Sequence, residues 1–424
     1  MKALASLLCL AASAVVAPAA TPTFHKDILP ILQARCQNCH RTGEIGPMPL
    51  FTYKETRPWA KSIKQAVLQK RMPPWFADPQ YGRFSNDHSL TPDEIQTVGA
   101  WVDAGAPEGN PKSAPKPRVF QDGWNIAPPD TVLEMTAEFE LPADGKVDYQ
   151  YIVLPTGFTE DKWVQMVEVR PSNRAVVHHT VVFLREPGSK WMSKATPGVP
   201  VSGGPSDVGG GGGEILSIYT PGMVPDIWAP GVAKQVKAGS DFVIQMHYTP
   251  NGKPAADKTK VGLVFAKQPP QQRVLTLAAT NMGFKIPPGE ENYPVQAKAQ
   301  VPNEANLISF FPHMHLRGKA FEYRVVYPTG ERQTLLKVEP YRFNWQLSYK
   351  TEKPIVLPAG TTLECTAWFD NSPNNKDNPD PSKEVRWGEQ SWEEMAIGFV
   401  DVTIDASMTR RDFLMKKAGS GAGQ

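Results

Sequence analysis

From residue 130 onward, apolar and β-branched residues alternate with polar ones in short runs: TVLEMTAEFEL, YQYIVL, VQMVEVR, AVVHHTVVFL, DFVIQMHYT, VGLVFA, NLISFFPHMHL, FEYRVVY, TTLECTAWF and MAIGFVDVTI. Period-two patterning bounded by turn signals such as PTG, PNG and PAG predicts strands rather than helices. So many short strands in one stretch predict one or two antiparallel sandwiches. A proline-rich break, AKQPPQQR at 266–273, divides the region into halves at 128–268 and 269–408, with no sequence repeat between them. The stretch SGGPSDVGGGGG at 202–213 reads as a loop. It lacks the strand–helix context that would make it a phosphate cradle.

The first hundred residues follow a different rhythm. Ile28, Leu29, Ile31 and Leu32 predict a short helix over Phe24 to Arg35. Leu90-Thr91-Pro92-Asp93-Glu94-Ile95 is a helix start: Thr91 caps, Pro92 opens, Glu94 completes a capping box, and Leu90 can staple to Ile95. Val98, Trp101 and Val102 continue the apolar face and Gly105 ends it. Proline, glycine and charge then dominate residues 105–130, which predicts a semi-extended linker, centred on 111–127. The expected architecture is multidomain: a small all-α domain at 22–110, then two antiparallel β-sandwich, jelly-roll-like domains.

Proline is the unusual figure in the composition: 42 of 424 residues, about twice ordinary usage. It argues against a mostly helical protein. Lys and Arg total 45 against 43 Asp and Glu, a net charge of +2. That balance gives no reason to expect nucleic acid as a partner. Residues 1–20 read as a secretory signal: Lys2, the apolar LASLLCLAASAVV, then small residues around Ala17 to Ala20. The apolar run is too short for a transmembrane span. The mature chain is therefore expected to be exported, periplasmic or secreted. The tail 409–424 reads as a poorly ordered end.

Of four cysteines, Cys9 lies in the signal, and Cys365 sits in an apolar strand pattern as a buried core thiol. Cys36 and Cys39 stand in CQNCH. In an exported protein this is the haem c attachment signature, with the thiols adding to the vinyl groups and His40 ligating the iron. No second cysteine pair supports a zinc site. The helix carrying the motif and the later helix packing on it resemble a class I cytochrome c. Met72, in the stiff RMPPW loop that resembles a motif of short bacterial cytochromes, is the favoured sixth ligand; Met48 and His88 are the rivals.

Five of the eight histidines fall outside the first 90 residues, in three clusters: His178-His179, His247 and His313-Met314-His315. Residues two apart on a strand share a face, so His313 and His315 can clamp one metal. Unpaired imidazoles would be costly in so apolar a setting as LISFFPHMHL. His178 and His179 can serve one ion only if the strand ends or kinks between them. His247 alone would read as a satisfied core histidine.

The order H-H, H-Y, H-x-H and a late Met resembles the copper type II ascorbate-dependent monooxygenases, the peptidylglycine α-hydroxylating and dopamine β-monooxygenase family, over residues 128–405. The resemblance implies a first copper on His178, His179 and His247, and a second on His313, His315 and Met395 of WGEQSWEEMAIGF. It also implies two sandwiches, each with one copper, facing each other across an open cleft. The thioether favours Cu(I), and the His₂Met set would be catalytic, using O2 to hydroxylate a substrate C–H. The positions at which the peptidylglycine enzymes carry a carboxylate-gripping Arg and Tyr are here Phe311 and Phe399. An apolar or aromatic small molecule therefore fits better than a glycine-extended peptide. Haem c, fed by an external donor, would relay electrons through the His₃ copper. The alternative is a haem and copper electron-transfer or copper-binding protein without hydroxylase activity.

Overall fold

The computed structural model describes residues 20–120, 123–202 and 214–415. The signal at 1–20, apart from Ala20, the glycine-rich stretch apart from Ser202, and the end of the tail lie outside them.

Three sheets dominate. A nine-stranded sheet runs in the order Thr131–Glu134, Lys260–Phe265, Lys162–Arg170, Val232–Val236, Gln272–Thr280, Ile397–Asp405, Ala305–His313 and Tyr349–Leu357, with Asp226–Ile227 also pairing on Lys162–Arg170. A five-stranded sheet (Val201–Ser202, Gln150–Pro155, Asp241–Tyr248, Val177–Arg185, Glu214–Tyr219) and the first half of the large sheet enclose one core, which includes Ile152, Val167, Val182, Phe242, Ile244 and Leu263. A four-stranded sheet (Tyr293–Val301, Thr361–Phe369, Gly318–Val326, Arg332–Val338) and the second half enclose another around Phe310, Phe321, Tyr323, Leu363 and Val402. In Thr361–Phe369 every second residue is buried, so one face meets the core as the sequence pattern requires.

The expected fold class needs correction on two counts. The two sandwiches are not separate antiparallel units. Gln272 and Arg273 pair in parallel with Val232 and Ala233, fusing both halves through one sheet. Nor is a small all-α domain of the class I cytochrome c kind seen. Among the described residues before the expected linker, the α-helices are short: Leu29–Arg35, Tyr53–Thr56, Ala60–Leu68 and Pro92–Asp103. The helix-start chemistry is present, with reciprocal capping between Thr91 and Glu94. The segment between the last two helices, however, belongs to the second sandwich. Ala77 and Phe84 bridge to Val338 and Thr351. Trp75, Phe76 and Phe84 pack against the second core, with Phe84 5.6 Å from the Tyr349 ring. Prolines 73, 74 and 79 disfavour a helix there, and the aromatic side chains of Trp75, Phe76 and Phe84 bury apolar surface against the second core instead.

In the expected linker, residues 124–126 are likewise docked on the first sandwich. Ile126 is buried, Trp124 lies so close to Gly262 that a Cβ there would stand 2.6 Å from its ring, and Asn125 N–H donates to Glu168. The start of the tail is ordered as well. Arg410–Leu414 is a Thr409-capped helix whose Phe413 is fully buried. Asn303 donates to the Phe413 and Met415 carbonyls.

If residues 75–84 are part of the second sandwich, Phe84→Ala should destabilise it. The expected cost is about 2 kcal/mol, below the roughly 3–5 kcal/mol of a fully buried Phe. Urea unfolding followed by tryptophan fluorescence checks this. An unchanged midpoint would mean that the docking contributes no stability.

Candidate functional site

All five distal histidines and Met395 are buried in one place. The strand Val177–Arg185 places the first pair. His247 pairs with His179 and Tyr248 with Val177, so His178 is the extra residue of a β-bulge. The bulge supplies the kink that adjacent ligands require. It lets His178 and His179 bring their Nδ1 atoms to 3.3 Å of each other, while Val177 and Val182 point into the core. Ligand atoms of His178, His179 and His247 all lie within 4.8 Å of one another.

The second set forms where two neighbouring strands end. His313 closes Ala305–His313 and pairs with Ile397, two residues after Met395. Met314 turns into the second core while His313 and His315 face the other way, with ring centroids 5.1 Å apart. His313, Met395 and His179 line one small cavity of about 20 Å³ together with Phe311, Phe399 and Tyr149.

Hydrogen bonds on one nitrogen of each ring decide which nitrogen is free for a metal. His178 Nε2 donates to the Phe343 carbonyl at 3.0 Å, leaving Nδ1. His247 Nε2 meets Ser391 Oγ at 3.0 Å, and its Nδ1 is buried without a partner. His313 Nδ1 donates to Gln346 Oε1 at 2.7 Å, and His315 Nδ1 donates to the Glu393 carbonyl at 3.2 Å. His315 Nε2 is buried and unpartnered. Burial pushes His178 and His313 down to about 4. Burial and then the neighbouring rings push His179, His247 and His315 well below the usual imidazole range, although hydrogen bonding at His315 opposes this. All five are therefore neutral at physiological pH, the state a ligand needs.

Two loops support these rings. In residues 341–346, Phe343 stacks on His178 at 4.1 Å, Tyr341 Oη bonds both the N–H and the carbonyl of Met314, and Gln346 holds His313. In residues 390–395, Glu394 accepts from the His315 and Arg317 N–H groups at 2.9 and 2.6 Å. Burial raises Glu394 to about 8 against the pull of those donors. None of Tyr149, Phe343, Gln346, Ser391 and Glu394 is marked by spacing or residue type in the sequence. Ser391 and Glu394 at least fall in the WGEQSWEEMAIGF segment.

The CQNCH residues, expected from the sequence to attach haem, form a second site. Cys36, Cys39 and His40 continue the helical turn after Leu29–Arg35, with His40 N–H bonded to the Cys36 carbonyl at 2.9 Å. They line a cavity of about 360 Å³ that also holds Met72, and His178 and Trp345 stand on its far wall. Both thiols are free. Burial foremost pushes Cys36 up to about 12 and raises Cys39, so both are protonated in this state. His40 Nδ1 donates to the Met48 carbonyl at 3.2 Å, leaving Nε2 for an iron. Gly46 is required: a Cβ would stand 2.6 Å from the Cys39 carbonyl and 2.7 Å from His40 Cα. Among the rivals, Met48 packs instead against the helical core, and both nitrogens of His88 face carbonyls, of Asn86 at 3.0 Å and Pro74 at 2.9 Å. Met72 and His88 both line the cavity, and with both His88 ring nitrogens engaged, Met72 is the candidate left to ligate there. The donor types and the space fit a covalently attached haem.

Removing the Gln346 acceptor should free the His313 tautomer. Gln346→Ala is expected to weaken metal binding about 10–100-fold, as loss of such a supporting bond typically does. A competition titration against a chelator measures it, and unchanged affinity would mean His313 needs no such support.

No protein-family model and no curated protein matches the chain. Among solved structures it is similar to the STIV MCP at 10% identity, over 65% of this chain and 94% of that one, with a TM-score of 0.27. It is similar to the major capsid protein P2 from Bacteriophage PM2 at 9% identity, over 64% and 96%, with a TM-score of 0.25. For allantoicase the figures are 10% identity, 55% and 80% coverage, and a TM-score of 0.17. Superpositions this loose carry no argument about ancestry or chemistry.

Proposed function

We propose that this chain is an exported haem- and copper-dependent monooxygenase, of the kind the sequence resemblance to the copper type II family implies. Cys36 and Cys39 would hold a haem covalently, with His40 and Met72 as axial ligands. His178, His179 and His247 would hold one copper, and His313, His315 and Met395 the other. When bound, these metals would supply one-electron transfer and dioxygen reduction.

The observation that carries the reading is the cavity shared by His313, His179 and Met395. At about 20 Å³ it exceeds the roughly 10–15 Å³ a water needs, so it admits a molecule the size of dioxygen. Its walls include the apolar side chains of Phe311, Phe399, Ile397, Ile215 and Val181, which exclude bulk water. The chain's own groups do the rest. Gln346 and the Glu393 carbonyl orient the second pair of rings, and Glu394, the residue before Met395, accepts from the His315 N–H. His178 lies on the wall of the haem cavity and in the first ligand set, which gives electrons a short route between the two. Phe311 and Phe399 face each other at 6.1 Å where a carboxylate grip would have stood, and favour an apolar substrate. Among the described residues no helix is long and apolar enough to cross a membrane.

A second reading, a haem and copper electron-transfer or copper-binding protein, is favoured by the size of that same cavity, which has no room for a substrate. Turnover separates the two. The exported protein, loaded with copper and desalted, should contain one haem and two coppers per chain and, given a one-electron donor that reduces the haem, take up O2 with an apolar C–H substrate, two electrons and two protons being consumed for each C–H hydroxylated and each water released. Met395→Ala should abolish the uptake and keep the haem spectrum. Uptake that survives Met395→Ala would move the oxygen site elsewhere. Full metal content without uptake across a broad substrate screen would favour the second reading. Absence of tightly held copper would end both.

A further inference from the structure

The family resemblance implies two coppers on facing domains across an open cleft. The described residues have no such gap between the two ligand sets. The rings of His179 and His313 are 5.7 Å apart, nearly perpendicular. That is only 0.2 Å beyond the widest spacing inside the sets, which runs from 4.9 Å for His179 and His247 to 5.5 Å for His178 and His179. One ring from the first set and two donors from the second line the same small cavity.

The supporting bonds cross the boundary as well. The loop 341–346 reaches His178 through the Phe343 carbonyl and His313 through Gln346. The loop 390–395 reaches His247 through Ser391, reaches His315 through the Glu393 carbonyl, and carries Met395 itself. Neither loop can shift one ligand set without shifting the other. The packing beneath is continuous too: Phe183, Val153 and Val243 of the five-stranded sheet share an apolar cluster with Phe311, Ile397 and Phe399 of the second sandwich.

We propose that the six donors form one two-metal centre, with His179 and His313 meeting at its middle, rather than two isolated mononuclear sites. The inference rests on the reading that both sets take copper. Two Cu(II) ions held this closely interact magnetically, whereas distant ions give independent signals.

The test is electron paramagnetic resonance on the full haem-containing protein carrying copper alone as the added metal, with metal content determined in parallel. His247→Ala should retain only the second set, and His315→Ala only the first. With two coppers bound, the wild-type spectrum is expected to lose most of its copper signal relative to the sum of the two variants, and to show a half-field line. The half-field line needs no variant, so a misfolded substitution does not remove the test. Two bound coppers whose spectrum equals the sum, with no half-field line, would overturn the two-metal centre and leave the proposed function standing. A single bound copper that only removal of ligands from both sets abolishes would also overturn it. Failure to bind copper at all would overturn the function reading, and this inference with it.

Discussion

The five-stranded sheet is buried on both faces, and the site depends on that double burial. Its inner face, with Ile152, Val182 and Ile244, makes the first core. Its outer face, with Val153, Phe183 and Val243, would be an exposed apolar surface in an isolated sandwich. Here it packs on Phe311, Ile397 and Phe399. Removing that surface from water is worth roughly 25 cal/mol per Å², and it brings the histidine-bearing end of one sandwich against that of the other. His179 continues the outer face of its strand, and His313 ends the strand that carries Phe311. The two rings therefore meet because the phenylalanines behind them do.

Burying five imidazoles is expensive unless something uses them. Each buried polar atom left unpartnered costs about 1–3 kcal/mol, and His247 Nδ1 and His315 Nε2 are both in that position. The other nitrogen of each ring is spent on Ser391 or the Glu393 carbonyl, which leaves the unpartnered atom as the free lone pair. A cluster kept neutral by burial, with unpartnered ring nitrogens, is in the donor state that a soft or borderline metal requires. The same logic applies at the CQNCH motif. The Met48 carbonyl takes the His40 Nδ1 proton, and Gly46 allows the close approach that presents the ring.

The cavity at the CQNCH motif lies between the N-terminal segment and the first sandwich, so one wall is CQNCH and the other is the bulged strand. Residues 75–84 pin the segment to the second sandwich, and the strap around Trp124 pins it to the first. A separable helical carrier would have to find its partner by diffusion. This segment is held against it.

Much of this could be read from the sequence, and the reason is local. Strand periodicity, the Thr91–Glu94 capping box, the C-x-x-C-H spacing and the H-x-H pair each express a constraint that acts over a few residues. The sequence identified His313 and His315 as neighbours because a strand turns alternate residues to one face. It could state that His178 and His179 needed a kink without supplying one; the bulge exists because Tyr248 pairs with Val177 across a strand seventy residues away. Short helices at 22–110 were legible, but their independence was not, because prolines 73 and 74 end helices without saying what Trp75 and Phe84 will bury against. The parallel joint at Gln272, the clamp from Gln346 and the meeting of His179 with His313 were decided by tertiary structure alone. Each joins residues distant in the chain through packing of surfaces, and no spacing within a segment encodes it.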